Sequence, residues 1–163
     1  MRLVGLAVFA SASVLVAGPA SAQAPQVEKN VSMAMSMAVM QGALDQCTKD
    51  GYKVSVVIVD KGGNVAASVR GDGTGPHTME NSFKKAFTAR TFRIPSGEME
   101  KRLKDNPQMG AQYLTGFTTA RGALPIKIGD DVVGAAGVSG APGGEKDEAC
   151  VQTGLDKVKD QLK

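Results

Sequence analysis

Residues 123–139 have the sequence ALPIKIGDDVVGAAGVS, in which two runs of apolar residues flank the polar connector Gly129-Asp130-Asp131. Two such runs around a short Gly-containing turn predict a β-hairpin, with strands over 123–128 and 132–139. Gly134 and Gly137 lie inside the second strand. A glycine in a strand interior usually marks a bend, or the close approach of another backbone or of a ligand.

Three further strands are predicted before this hairpin. Residues 52–59 and 64–70 are rich in β-branched residues and are separated by Asp60-Lys61-Gly62-Gly63, which predicts a second hairpin. Residues 116–120 follow a Gly-containing turn and predict one more strand. Because tight hairpins join antiparallel strands, the sheet is expected to be antiparallel with five strands.

Four helices are predicted from apolar residues at helical spacing. Ser96 is expected to cap the third helix, and the fourth is expected to bury Val151, Leu155, Val158 and Leu162. The predicted helices cover residues 27–49, residues 77–92, a short segment from Ser96 to about Asn106, and a segment that begins after Gly143-Gly144.

The resulting order is α-ββ-α-α-βββ-α, which indicates an α+β domain with helices packed on an antiparallel sheet. About 141 residues remain after residue 22, close to the commonest size of one domain. One domain over residues 23–163 is therefore expected.

Residues 1–22 have the pattern of a secretory signal peptide. Arg2 precedes an apolar run from Leu3 to Ala17, and Ala20-Ser21-Ala22 forms an A-x-A cleavage site. Cleavage after Ala22 would leave a soluble periplasmic or secreted protein that is not bound to a membrane. An uncleaved anchor is the alternative, although the run is short for a membrane span.

The chain contains two cysteines, Cys47 and Cys150. In an oxidising compartment they could form a disulfide, and they could meet if the first and last helices pack side by side. Two buried free thiols are the alternative. The spacing does not fit a C-x-x-C redox pair.

The charge pattern and the common catalytic motifs exclude several classes of function. Without Arg2, 18 basic residues face 16 acidic ones, and the charges are interspersed, so no nucleic-acid partner is expected. A single histidine excludes a histidine cluster for zinc. No G-x-S-x-G motif is present, and the Gly-rich segment 137–140 lacks the lysine of a P-loop.

His77 is the most informative polar residue, because it lies where a Gly-rich loop enters the second helix. An imidazole can ligate haem iron, a methionine such as Met79 can ligate it on the other side, and basic side chains can pair with propionates. A surface or capping histidine is the alternative. The basic residues that follow are Lys84, Lys85, Arg90 and Arg93.

Five short strings resemble the GlcG/HbpS-like family in order and spacing, and together they cover essentially the whole chain after residue 22. The resemblance implies a profilin-like, three-layer domain with a five-stranded antiparallel sheet, which assembles into homo-oligomers, often octamers. It also implies the binding of haem, with haem breakdown in some members. The strings are VDKGGN at 59–64, KAFTA at 85–89, GALPI at 122–126, VGAAGVSG at 133–140 and DEAC at 147–150.

The resemblance leaves the haem ligand open, because members use either a histidine or a hydroxyl residue. His77, Thr78 and Thr88 are the alternatives in this chain. The chain departs from the family at Arg121-Gly122, where a Gly-Gly pair is more usual.

The leading hypothesis is therefore an exported haem-binding protein, serving haem sensing, storage or breakdown, with binding favoured over catalysis. Its iron would lie near His77, and its cofactor would be haem. One alternative is an accessory protein or enzyme for a small metabolite such as a hydroxy acid or diol. Another is a structural oligomer that docks to a periplasmic partner.

Overall fold

A computed structural model describes residues 24–163, and the predicted signal peptide lies outside them. The helices are α1 (Met33–Lys49), α2 (Thr78–Phe92), α3 (Glu98–Asp105) and α4 (Gly144–Asp156). The strands are β1 (Ser55–Asp60), β2 (Val65–Arg70), β3 (Ala123–Ile128) and β4 (Asp131–Ser139). Short 3₁₀ helices cover Gly110–Tyr113 and Lys159–Gln161. Among residues 24–163, no helix has the length and apolar character needed to span a membrane.

The sheet has four strands in the order β2-β1-β4-β3, and all neighbours are antiparallel. Both predicted hairpins are present, with β1–β2 and β3–β4 as sequential pairs. The two hairpins join along β1 and β4, where Ser55 lies opposite Ser139. These two central strands are almost entirely buried, because helices cover both faces of the sheet.

The predicted fifth strand, residues 116–120, is wrong. Its polar backbone groups bond to side chains rather than to a neighbouring strand: Thr118 N donates to Thr88 Oγ1 at 3.0 Å, and Ser96 Oγ donates to Ala120 O at 2.9 Å. A backbone whose polar groups are satisfied in this way has no need of a strand partner. The segment is a loop that runs from the short 3₁₀ helix to β3.

Two helix beginnings also differ from the prediction. α1 begins at Met33 rather than Val27, because Ser32 Oγ accepts the Met35 N–H at 3.1 Å and caps the helix. Ser96 does not cap α3: besides its bond to the 116–120 loop, Ser96 Oγ accepts the Ala123 N–H at 3.1 Å. It therefore ties the loop to the start of β3.

Two helical layers cover the sheet. α1 and α4 pack together on one face, where the Cys47–Cys150 disulfide joins them with a Cα separation of 5.5 Å. α2 packs on the other face, over the cluster that contains Val57, Val59 and Ala135. The sequence left the disulfide and two free thiols as alternatives, and the structure has the disulfide.

Gly137 explains how closely α2 lies against β4. A Cβ at this position would clash with the Ser82 carbonyl oxygen and lie 2.8 Å from the Ala86 nitrogen. The glycine therefore marks the approach of another backbone, one of the possibilities predicted from the strand pattern. This contact holds the first half of α2 over the C-terminal end of β4.

Candidate functional site

An open cleft of about 600 Å³ lies where the first turns of α2 and α4 meet the C-terminal end of β4. Two loops form its walls, residues 73–75 before α2 and residues 140–144 before α4. Gly140, at φ +133°, turns the chain out of β4, where any side chain would clash with the Lys53 backbone. The close crossing of these segments places the two helix beginnings beside each other.

A buried ion pair between α2 and α4 forms the floor of the cleft. Lys85 Nζ lies 2.7 Å from Asp147 Oδ2, and only 4% and 3% of the two side chains are exposed. The ammonium also donates to Val138 O at 3.0 Å, and Asp147 Oδ1 accepts the Ala141 N–H at 3.1 Å. The pair therefore connects α2, β4 and the loop that leads into α4.

The electrostatics of Asp147 reflect two opposing effects. Burial raises the pKa of the Asp147 carboxyl above its ordinary value, because a charged group loses hydration in the interior. The Lys85 charge and hydrogen bond, together with the Ala141 N–H, act in the opposite direction and favour the carboxylate. Lys85 is thus the main group that favours the charged carboxylate, although burial is the larger effect.

Hydroxyl groups form a hydrogen-bonded wall between α2 and β1. Thr78 Oγ1 lies 2.7 Å from Ser55 Oγ and donates to Gly75 O at 2.8 Å. Ser82 Oγ lies 2.9 Å from Ser55 O and 2.7 Å from Thr78 O. These contacts fix the beginning of α2 against the sheet, and of the three hydroxyl residues Thr78 lines the cleft.

Three of the residues proposed from the sequence line the cleft: His77, Thr78 and Lys85. His77 is exposed at the mouth and makes no side-chain capping bond at the start of α2. Lys84 lies with His77 in a neighbouring depression of about 220 Å³ and pairs with Glu80 at 2.6 Å.

Four other proposed residues lie outside the cleft lining. Met79 packs against the core cluster under α2, and Thr88 is buried with its hydroxyl bound to the 116–120 loop. Arg90 and Arg93 lie at the far end of α2, about 20 Å and about 24 Å from His77 at 1.5 Å of rise per residue. Burial, followed by the nearby charge of Arg93, lowers the pKa of Arg90.

Sequence reasoning did not assign Lys53, Asn81, Arg121, Ser139 or Asp147 to the site, although all five line the cleft. Three of them carried a signal: Asp147 begins the DEAC string, Ser139 lies in the VGAAGVSG string, and Arg121 is where the chain departs from the family pattern. The others come together only in the fold. For example, Asn81 Nδ2 donates to Ser139 Oγ at 2.9 Å across 58 residues of sequence.

The part of the chain that the structure describes contains no metal site built from acidic, histidine or cysteine side chains. No group of three or more such side chains lies close enough there to hold an ion.

Comparisons with known proteins place most of the chain in one group. Residues 31–156 match a family model described as "Haem degrading protein HbpS-like". Protein GlcG of Escherichia coli strain K12 is 28% identical over 109 residues, which cover 67% of this chain and 81% of GlcG.

Solved structures share the fold. A crystal structure of a double mutant of Streptomyces reticuli HbpS is 31% identical, with a TM-score of 0.78, over 86% of this chain and 97% of that one. The Klebsiella pneumoniae protein ORFY is 23% identical, with a TM-score of 0.76, over 86% and 98%. The PduOC:heme complex is 20% identical, with a TM-score of 0.71, over 78% and 94%.

Proposed function

Because the chain belongs to the HbpS-like family, we propose that it is an exported haem-binding protein. The family description names haem degradation, and PduOC, a protein of the same fold, has been crystallised with heme. The observation in this chain that carries the proposal is His77, its single histidine, exposed at the mouth of the cleft.

His77 is the best placed of the three candidate iron ligands. Its imidazole is exposed and makes no capping bond, so a ring nitrogen is available to ligate iron. The hydroxyls of Thr78 and Thr88 are buried and already hydrogen-bonded. Ligation through either threonine would require breaking those contacts.

Cations around the mouth fit the propionate groups of haem. Lys53 and Arg121 line the cleft and are exposed, and Lys84 lies in the depression beside His77. Of the set proposed from the sequence only Lys84 remains, because Lys85 lies in the buried pair with Asp147 and both Arg90 and Arg93 lie at the far end of α2. Bound haem would supply a redox-active iron, and the chain would hold it by one imidazole and these cations.

Hemin titration of the purified chain tests the proposal. We expect a saturable shift of the Soret band that His77→Ala abolishes and that the exposed control Lys127→Ala leaves intact. Absence of any shift would refute haem binding, whereas a shift unchanged by His77→Ala would refute only the ligand. Following the band over hours in air, with ascorbate added as the reductant, separates the processes that binding could serve, because oxidative breakdown by dioxygen bleaches the band while storage or sensing preserves it.

Export is proposed from the signal pattern of residues 1–22, and the Cys47–Cys150 disulfide supports it, since such bonds persist in oxidising compartments. The N-terminal sequence of the exported protein should begin at Gln23. A chain recovered only from the cytoplasm, with Met1 retained, would contradict this proposal.

A further inference from the structure

We propose that the interior of the cleft binds a small hydroxycarboxylic acid, with its carboxylate at Lys85. This inference goes beyond haem binding and does not depend on it. It rests on the charge of the cleft, on an unused donor at its floor and on the neutral polar groups beside that donor.

The charges that line the cleft favour an anion. Lys53, Lys85 and Arg121 are cationic, and Asp147 is the one carboxylate in the lining. Lys85 is paired with Asp147, and Arg121 is paired through Nε with Glu148 at 2.5 Å, so Lys53 is the cation of the lining that forms no ion pair within the described residues. A concave surface with an excess of positive charge raises the local concentration of anionic ligands.

Lys85 provides a donor that the protein does not use. An ammonium group has three N–H bonds, and within residues 24–163 only Val138 O and Asp147 Oδ2 accept from this one. The side chain is 4% exposed and lines the cleft. A carboxylate that accepts the third N–H would form a charge-assisted hydrogen bond in a partly desolvated position, where such bonds are strongest.

The positive ends of two helix dipoles lie at the same cleft, although the Thr78 N–H at the start of α2 already donates to Gly75 O at 3.2 Å. Neither α2 nor α4 has a side-chain cap, and the residues that precede them, His77 and Gly143, both line the cleft. The first N–H groups of a helix lack partners within the helix and carry the positive end of its dipole. They reinforce the preference for negative charge that Lys85 establishes.

Neutral polar groups beside Lys85 can bind the hydroxyl group of the hydroxycarboxylic acid. Asn81 donates to Ser139 Oγ at 2.9 Å, and both residues line the cleft. In the described residues, neither the Asn81 amide oxygen nor the Ser139 hydroxyl hydrogen has a further partner. An acceptor and a donor side by side can bind one ligand hydroxyl in both of its roles.

Calorimetric titration at low ionic strength tests the inference, with lactate, malate and tartrate as probes. Lactamide keeps the lactate hydroxyl but lacks the charge, and propionate keeps the charge but lacks the hydroxyl. We expect saturable binding of at least one probe, no binding of lactamide and weaker binding of propionate than of lactate. Absence of binding by all three probes, or equal binding of lactate and lactamide, would overturn the inference. Tighter binding of inorganic phosphate than of any probe would overturn the hydroxycarboxylate assignment.

Variants locate the binding site. Lys85→Met should weaken binding of the tightest probe by about tenfold or more, because a hydrogen bond from a charged donor is lost. Lys53→Gln changes an exposed side chain and tests the site even if the Lys85 variant does not fold, with an expected loss of affinity of about threefold.

The matched control Lys127→Gln, on the exposed side of β3, should bind as the wild type does. Equal affinity of the Lys53 variant and the control would place the ligand elsewhere. Hemin is absent throughout, so a failure of haem binding would not change these results.

Discussion

The Lys85–Asp147 pair has a structural role, and the proposed carboxylate site adds a binding role for Lys85. Gly122 makes room for the pair, because a Cβ there would lie 2.7 Å from Lys85 Nζ and 2.8 Å from Asp147 Cβ. The pair joins α2 to the first turn of α4 at the floor of the cleft. Its charges are therefore tied to the packing of both helices as well as to the cleft.

Removal of one partner should destabilise the fold strongly. Lys85→Met leaves the Asp147 carboxylate buried without its cation, and we expect a loss of about 3–5 kcal/mol in the free energy of unfolding. Replacing both residues, with Met at 85 and Leu at 147, should recover most of that loss because no buried charge remains. Urea unfolding measures both effects.

The control for this experiment is Lys84→Met, which removes a cation from an exposed pair with Glu80. Its effect should stay within about 1 kcal/mol. A double variant at 85 and 147 that is as unstable as Lys85→Met alone would show that the cost does not arise from the uncompensated charge.

Stability should also depend on pH through Asp147. Burial raises the pKa of this carboxyl above 3.8, so the folded protein retains the proton to a higher pH than the unfolded chain does. The stabilisation from protonation is complete below the unfolded pKa and is lost as the pH rises through the folded pKa. The stability of the wild type relative to Asp147→Asn, measured by urea unfolding, should therefore fall as the pH rises above 3.8. An increase of this relative stability with pH would show that the bond to Lys85 lowers the pKa of Asp147 by more than burial raises it.

At the level of the elements, predictions from local patterns succeeded. Both hairpins and all four helices are present, because alternation, helical spacing and turn residues act over a few neighbouring positions. The error at the start of α1 came from a local cap at Ser32, whereas the errors at residues 116–120 and at Ser96 arose where distant side chains replace local partners. Thr88 and Ser96 bind the backbone of residues 116–120, so this segment does not pair as a strand, and the same bonds remove Ser96 from its expected role as a cap.

The close packing of α2 against β4 can be tested at Gly137. Gly137→Ala would push a methyl group into the Ser82 carbonyl and the Ala86 nitrogen of α2. We expect a loss of about 1–3 kcal/mol in the free energy of unfolding, the usual cost of overpacking. The matched control is Gly110→Ala, because a Cβ there meets nothing within 4 Å. A thermal melt in which both variants unfold at the same temperature would contradict the close contact.

At the scale of the whole molecule, the cleft is formed by contacts between residues that are far apart in the sequence, and local sequence patterns do not predict such contacts. The sequence predicted His77 at a loop-to-helix junction, and the structure places it at the cleft mouth. It could not predict that Lys53, Arg121 and Asp147 would join it, because these residues belong to separate segments that meet only after the sheet has formed. The homo-oligomer implied by the family resemblance stays a prediction.

The disulfide links this architecture to the proposed export. Cys47 and Cys150 are separated by 103 residues, and both are fully buried between α1 and α4. Replacing both with alanine should lower the free energy of unfolding by about 2–5 kcal/mol, since the unfolded chain regains the freedom that the cross-link removes. Chemical denaturation of the oxidised wild type and the double variant measures this loss.

The reduced wild type is the control for this experiment, because it keeps both sulfur atoms in the core and lacks only the bond. A chain that lacks residues 1–22 and is produced in a reducing cytoplasm should therefore unfold at a denaturant concentration close to that of the double variant. Oxidation of the same sample should then restore the higher midpoint. Equal midpoints before and after oxidation would show that the bond adds nothing to stability, and the disulfide would no longer support a working environment outside the cytoplasm.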